Sequence, residues 1–218
     1  MSPDEYNTIK KIMGKNFIGP QELKKIASRL KIADPLKSSK PIPKIFHTID
    51  YLKRIHQDYI LILGIPKDRT GKKLTINRLR SIFGWNPKKS EPCFYNQDWY
   101  LKEKFASEKT LDFRWYLIRK TVKEPSRGKK PEDILKTLKK QEKFPSTILT
   151  AFVFFTYYLL TEGEILWRHD FIWCSDKNSD GDRIYTGRYL DPKGINKNGF
   201  NIHRHLTIRS CYGFIPQI

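Results

Sequence analysis

The spacing of apolar and polar positions changes several times along the chain, and each change predicts an element. Ser146–Leu160 is apolar on every face, which is typical of a helix enclosed by the rest of a protein. The run is shorter than the ~20 residues that a bilayer requires. After Gly163 the period becomes two, and the aromatic-rich stretch Ile165–Cys174 predicts a strand. We therefore expect a buried aromatic helix, followed by a strand, at the centre of the fold.

The first half of the chain has weaker but similar signals. Residues 1–57 carry three apolar stripes at helical spacing and predict short basic helices. Tyr59–Leu63 is an apolar run that predicts a buried strand, and Leu111–Lys120 alternates like a second strand. Between them, Thr75 is placed to cap a helix that Gly84 would end.

The last third of the chain predicts an antiparallel meander. Arg183–Leu190 and Phe200–Arg209 both alternate, with loops between them. The predicted fold class is α+β, with N-terminal helices and an antiparallel sheet packed around the central buried aromatic helix. We expect a helical N-terminal region, 1–57, and an α+β core domain, 58–218, in one compact unit.

The composition excludes a disordered chain and indicates a polyanionic partner. Hydrophobic residues make up 39% of the sequence, and 42 Lys and Arg against 23 Asp and Glu give a net charge of +19. Such an excess repels itself unless a polyanion neutralises it, so we predict a nucleic acid, DNA or RNA, and no membrane. The alternative is a basic surface with no bound partner.

The positive charge is densest in residues 119–143, where ten Lys or Arg stand against four acidic residues. Pro131 begins a predicted helix there, with Ile134, Leu135 and Leu138 on its inner side. We predict that this stretch and the preceding strand contact phosphates, although a solvated face is the usual role of such a run. The predicted nucleic-acid-binding residues are Arg114, Arg119, Lys120, Arg127, Lys129, Lys130, Lys136, Lys139 and Lys140.

A few side chains are candidates for catalysis. His203 and His205 lie on one face of the predicted last strand, where imidazoles can bind a metal or transfer protons. A metal-dependent nuclease needs acidic side chains beside a Lys, and Asp98 and Glu103 are the candidates. Surface histidines and solvated acids are the simpler alternatives, so the sequence leaves enzymatic activity open.

The segment 176–182 matches the first half of a calcium-binding loop. Asp176, Asn178 and Asp180 supply oxygens at alternate positions before Gly181, but Gly187 stands where the bidentate Glu is required. An Asx-rich hairpin turn explains the same residues. We predict no cofactor, with a divalent metal ion as the alternative.

Three aromatic segments show a resemblance. Phe94–Tyr100, Trp115–Lys120 and the run before Thr161-Glu162-Gly163-Glu164 resemble segments of a family of uncharacterised bacterial proteins over most of residues 60–215. The resemblance implies a shared domain and no particular activity. The first of these segments also has aromatic rings beside amides, which suits either stacking on unpaired bases or covering a core.

The three cysteines are far apart and in no metal-binding spacing, which predicts reduced thiols. No signal-peptide pattern is visible, so a cytoplasmic location is expected. Three functions stay open: a nucleic-acid-binding protein, a metal-dependent nuclease or other nucleic-acid-processing enzyme, and a structural or assembly protein whose charge is incidental. The oligomeric state is not predicted.

Overall fold

The computed structural model describes residues 2–37, 40–85, 91–188, 199–204 and 207–218. Within these ranges the chain forms seven α-helices and two sheets, of three and four strands. The predicted α+β class is therefore confirmed. None of the helices in these ranges has both the length and the apolar character needed to cross a membrane.

Three helices form the N-terminal region, as predicted: α1 (Pro3–Met13), α2 (Pro20–Leu30) and α3 (Ile49–Ile55). The Ser2 hydroxyl accepts a 3.1 Å hydrogen bond at the start of α1, and the Thr48 hydroxyl accepts one of 3.2 Å at the start of α3. These hydroxyls satisfy amide groups that have no partner inside a helix. The apolar stripes of the three helices face the main core.

The three-stranded sheet consists of β1 (Phe17–Ile18), β2 (Tyr59–Leu63) and β3 (Trp115–Arg119), in that order. The pair β1 and β2 is parallel, and the pair β2 and β3 is antiparallel with Tyr59 opposite Arg119. All five residues of β2 are buried, because elements cover both faces of this sheet. That burial explains why β2 has no alternating pattern.

Four more helices follow: α4 (Ile76–Phe83), α5 (Lys104–Ser107), α6 (Pro131–Leu135) and α7 (Thr147–Leu160). The central aromatic helix is α7, and it is buried at all but its last few positions, as expected. One expectation for α6 is wrong. Leu135 was placed on the inner side but is 47% exposed, because α6 ends at this residue and the chain turns away.

The four-stranded sheet has the order β6, β5, β4, β7, from β4 (Phe171–Lys177), β5 (Arg183–Gly187), β6 (Asn201–His203) and β7 (Tyr212–Gly213). The connections among β4, β5 and β6 are antiparallel, as the predicted meander requires. Strand β7 adds parallel to β4, so both sheets of the fold are mixed.

Each face of the four-stranded sheet has its own apolar partner. Ile172 and Cys174 of β4 point into the main core around α7, while Phe171 and Trp173 point into a second, aromatic cluster. The two faces are those that the alternation predicted. The residues of the aromatic cluster are Ile134, Phe144, Phe171, Trp173, Tyr185, Tyr212 and Phe214.

The predicted strand Ile165–Cys174 begins too early. Trp167 and His169 have φ angles of 52° and 66°, which an extended strand does not contain, so β4 starts at Phe171. The predicted strands after it are also shorter: β5 ends at Gly187 and β6 at His203. The remainder of those two predictions falls partly on 189–198 and 205–206, outside the described residues.

Candidate nucleic-acid interface

Three clefts lie next to one another on the surface, and we call the three together the groove. The first cleft has a volume of about 720 Å³, the middle cleft about 500 Å³ and the third about 510 Å³. The first and middle clefts share Leu138 and Glu142, and the middle and third clefts share Lys109 and Ser175. Neighbouring clefts therefore share part of their walls.

The groove lies where several elements meet. Strand β3 supplies one wall, and the segment 136–144 after α6 supplies the other and divides the first cleft from the middle one. This segment is held in place by two backbone hydrogen bonds of 3.0 Å between Lys143 and Gln217. The hairpin of β4 and β5, with the segment that follows α5, encloses the third cleft and part of the middle one.

Basic side chains line the groove along its whole length. Ten Lys or Arg residues contribute to its walls, against five Asp or Glu residues. The basic residues are Lys73, Lys104, Lys109, Arg114, Arg119, Lys123, Lys129, Lys143, Lys177 and Arg183, and the acidic ones are Glu108, Asp112, Glu124, Glu142 and Asp176.

Only three of the ten cations form ion pairs. The Arg114 guanidinium lies 3.7 Å from the Asp112 carboxylate, and the Lys123 ammonium lies 2.5 Å from the Glu142 carboxylate. The third pair joins Lys109 to Asp176. Within the described part of the chain the other seven cations have no acidic partner, which leaves positive charge open to a ligand in all three clefts.

The structure places three of the nine predicted phosphate-contacting residues in the groove wall: Arg114, Arg119 and Lys129. Four others, Lys130, Lys136, Lys139 and Lys140, are exposed in or beside the 130–140 segment. Lys136 is 2.9 Å from the carboxylate of Asp133. These side chains border the groove without lining it.

The remaining two predicted residues lie elsewhere. Arg127 is bound by Asp170 at 2.6 Å and Glu124 at 2.9 Å, and the hydrogen bond to Asp170 is the main reason why the pKa of Arg127 is raised. Lys120 lies over the ring of Tyr157, 5.6 Å from its centroid, and burial lowers the pKa of its ammonium group. Neither side chain lines the three clefts.

Several groove cations were missed by sequence reasoning. Lys73, Lys104, Lys109, Lys177 and Arg183 come from separate segments that contain no dense run of charge. Only the tertiary fold brings them beside residues 114–143. No local signal in the sequence identifies them.

The catalytic candidates are engaged in contacts within the protein. The His203 ring lies 5.6 Å from that of Phe171, and its Nδ1 is 3.1 Å from the Gln97 amide nitrogen. Burial lowers the pKa of His203 to about 4, so its imidazole is neutral near pH 7. Its predicted companion, His205, lies outside the described residues.

The acidic candidates also have partners. Asp98 accepts a 2.5 Å hydrogen bond from Arg80. Glu103 accepts two hydrogen bonds from Ser179, 2.8 Å from its backbone N–H and 2.9 Å from its hydroxyl. Glu103 thereby ties the residue before α5 to the turn between β4 and β5.

The calcium-like segment forms the turn of a hairpin. Asp176 accepts a 2.6 Å hydrogen bond from the Thr147 N–H with one carboxylate oxygen and pairs with Lys109 through the other. Asn178 donates to Asp180 at 3.2 Å and to Asp182 at 3.0 Å. The described residues contain no group of three or more His, Cys, Asp or Glu side chains placed to hold a metal ion.

No protein-family model, curated protein or solved structure matches this chain. Membership of the bacterial family that the aromatic segments resemble stays a prediction. The function is therefore inferred from the geometry and charge of the groove.

Proposed function

We propose that the protein binds nucleic acid along the groove, with its phosphates on the unpaired cations. The observation that carries the proposal is the distribution of positive charge: within the described residues, each of the three neighbouring clefts contains Lys or Arg side chains without an acidic partner. A phosphate backbone releases condensed counterions when such cations neutralise it, which favours binding. Clefts also concentrate the field of the charges that line them.

The concave shape favours a linear polyanion over a lipid surface. A chain of phosphates can enter a groove and meet several of the cations that line it, such as Arg119 and Lys129 in the first cleft. Lipid headgroups form a flat layer that reaches only protruding side chains, such as Lys139 and Lys140. Most of the unpaired groove cations would stay without a partner in that case.

The test compares two variants of equal charge. Lys104→Gln, Lys129→Gln and Lys143→Gln together remove one exposed lysine from each cleft. The control removes three exposed lysines outside the clefts: Lys11→Gln, Lys25→Gln and Lys37→Gln. Fluorescence anisotropy with labelled oligonucleotides, at about 50 and 200 mM salt, measures affinity and its salt dependence.

We expect the wild-type protein and the control to bind with a steep loss of affinity between the two salt concentrations. The groove variant should bind more weakly and lose about 2 to 3 units of the slope of log K against log [salt], because three phosphate contacts are removed. Equal behaviour of the two variants would contradict the groove as the site. Absence of binding at the lower salt concentration would contradict the proposal as a whole.

The same titration addresses the other two functions. With added Mg²⁺, shortening of the labelled oligonucleotide would favour a nucleic-acid-processing enzyme. Light scattering without nucleic acid would reveal assembly, which the structural alternative requires. Among the described residues no specific observation favours either function over binding.

A further inference from the structure

The middle cleft has features that phosphate contact alone does not require. Leu135 lines it and is 47% exposed, although a large apolar side chain is usually buried when a core is available. Tyr116, Leu138 and Phe144 contribute further apolar wall. An apolar patch inside a basic groove fits a ligand that is both anionic and aromatic.

Two arginines in this cleft lie over aromatic rings. The Arg114 Cζ is 4.4 Å from the centroid of the Tyr116 ring, and the Arg183 Cζ is 4.9 Å from that of Phe144. These cation–π contacts stabilise each guanidinium beside the apolar wall of the cleft. Guanidinium planes and aromatic rings are the surfaces on which proteins stack unpaired bases.

The cleft also contains an amide without a partner. Gln217 lines the cleft and is only 5% exposed, yet its side-chain amide makes no hydrogen bond to the described residues. The amide is not fully enclosed, so water or a ligand in the cleft can reach it. The edge of a base offers the donors and acceptors that such an amide can pair with.

We infer that the groove binds single-stranded nucleic acid, with an unpaired base in the middle cleft against Leu135 and Arg114 and the flanking phosphates on the groove lysines. This inference rests on the proposed function. In a duplex the bases are paired and stacked on each other, so a duplex presents phosphates but no free base to the apolar wall. The ligand is an unpaired oligonucleotide, of RNA or of DNA.

Two substitutions separate base contact from phosphate contact. Arg114→Lys keeps the positive charge and removes the planar guanidinium, and Leu135→Ala shortens an exposed side chain without changing charge. Arg204→Lys is the matched control, because Arg204 also lies over an aromatic ring, 4.7 Å from the centroid of Trp99, but outside the groove. Near-native circular dichroism and thermal unfolding of each variant confirm folding.

The ligands are single-stranded RNA, single-stranded DNA, the matching duplex, and a single strand whose bases are replaced by abasic residues. We expect a single strand to bind about tenfold or more tightly than the duplex and the abasic strand at the same salt concentration. Arg114→Lys and Leu135→Ala should each weaken single-strand binding about fivefold or more and leave the salt slope unchanged. Arg204→Lys should bind like the wild type.

The outcomes distinguish this inference from the proposed function. Equal or tighter binding of the duplex or of the abasic strand, still dependent on the groove lysines, would overturn the single-strand inference and leave nucleic-acid binding intact. Unchanged affinity of Arg114→Lys and Leu135→Ala would overturn the middle cleft as the base site. Failure of every ligand to bind would overturn both. A preference between the RNA and DNA strands identifies the natural source of the unpaired base.

Discussion

Asp176 illustrates how one side chain can resemble a metal ligand and serve the fold instead. Its carboxylate accepts the Thr147 N–H at the first turn of α7, where a helix carries partial positive charge, and it pairs with Lys109. The side chain is 1% exposed, so these contacts take the place of water around the carboxylate. Asp176 therefore fixes the start of the central helix beside the groove.

We expect Asp176→Asn to lower the free energy of unfolding by about 2 kcal/mol, because it removes the negative charge at the helix N-terminus and the ion pair with Lys109. Urea unfolding followed by circular dichroism measures the change. Asp50→Asn is the control, since the Asp50 side chain is 89% exposed and 3.6 Å from Lys53. Such a surface pair contributes about 0–1 kcal/mol, so similar effects of the two substitutions would contradict the role given to Asp176.

His203 makes stability depend on pH in a direction that its environment fixes. Burial lowers the pKa of His203 from 6.5 to about 4, so the folded protein takes up its proton at lower pH than the unfolded chain does. Well above pH 6.5, His203 is neutral in both the folded and the unfolded state, and its burial costs no stability through protonation. As the pH falls from 6.5 to about 4, the unfolded state is protonated first and the folded state loses stability.

The substitution His203→Gln should remove this loss. Between pH 6.5 and 4, we expect the wild type to lose up to about 3 kcal/mol more unfolding free energy than the variant loses. Urea unfolding across that range measures it. Between about pH 7.5 and 8.5 the difference should stay constant, because His203 is neutral in both states. If the difference in unfolding free energy also stayed constant at low pH, the pKa of His203 would be the same in the folded and unfolded states. That result would contradict the role given to its burial.

At the scale of elements, the sequence predicts what depends on burial and misses what depends on backbone torsion. Helix α7 was predicted nearly to its bounds, because a run that is apolar all round over Ser146–Leu160 has few other conformations. The start of β4 was wrong, because the alternation of Ile165–Phe171 does not reveal the left-handed torsions of Trp167 and His169. The alternation of apolar and polar side chains alone does not determine the backbone angle φ.

The aromatic packing of α7 gives a prediction for this element. Phe155 is fully buried, with its ring stacked 4.1 Å from that of Phe83 and tilted 4.8 Å from that of Phe94. Phe155→Ala should lower the free energy of unfolding by about 3–5 kcal/mol, because it removes buried contacts and leaves a cavity. Phe46→Ala is the matched control, since Phe46 is 86% exposed. Urea unfolding that gave the two variants the same stability would contradict the position of α7 in the core.

At the scale of the whole molecule, the net charge predicted a class of partner but only part of its site. Three of the groove cations were predicted, from the charge run 119–143 and the strand before it: Arg114, Arg119 and Lys129. The rest of the groove depends on tertiary contacts, since Lys104 and Arg183 are far from that run in sequence. The exposed Leu135 was also unpredictable, because the end of α6 decides its direction and the spacing of apolar residues does not.

The arrangement of the three clefts side by side leads to a prediction about ligand length. Lys104 lines the third cleft and Lys129 the first, and the middle cleft joins them. A single strand of about 15 nucleotides is long enough to occupy several neighbouring subsites, whereas one of about 4 nucleotides occupies few. For the long strand, Lys104→Gln and Lys129→Gln should each reduce the salt slope by about 0.7, and the double variant by about 1.4.

The short strand should respond differently, because it can bind at the end of the groove that a single substitution leaves intact. Either single variant should then bind it with nearly wild-type affinity, and only the double variant should weaken it clearly. Anisotropy titrations of both strands against the three variants measure this pattern, with Lys11→Gln and Lys25→Gln combined as the control for net charge. If the long strand loses slope only through Lys104 or only through Lys129, one cleft binds alone and the three clefts do not act as a single site.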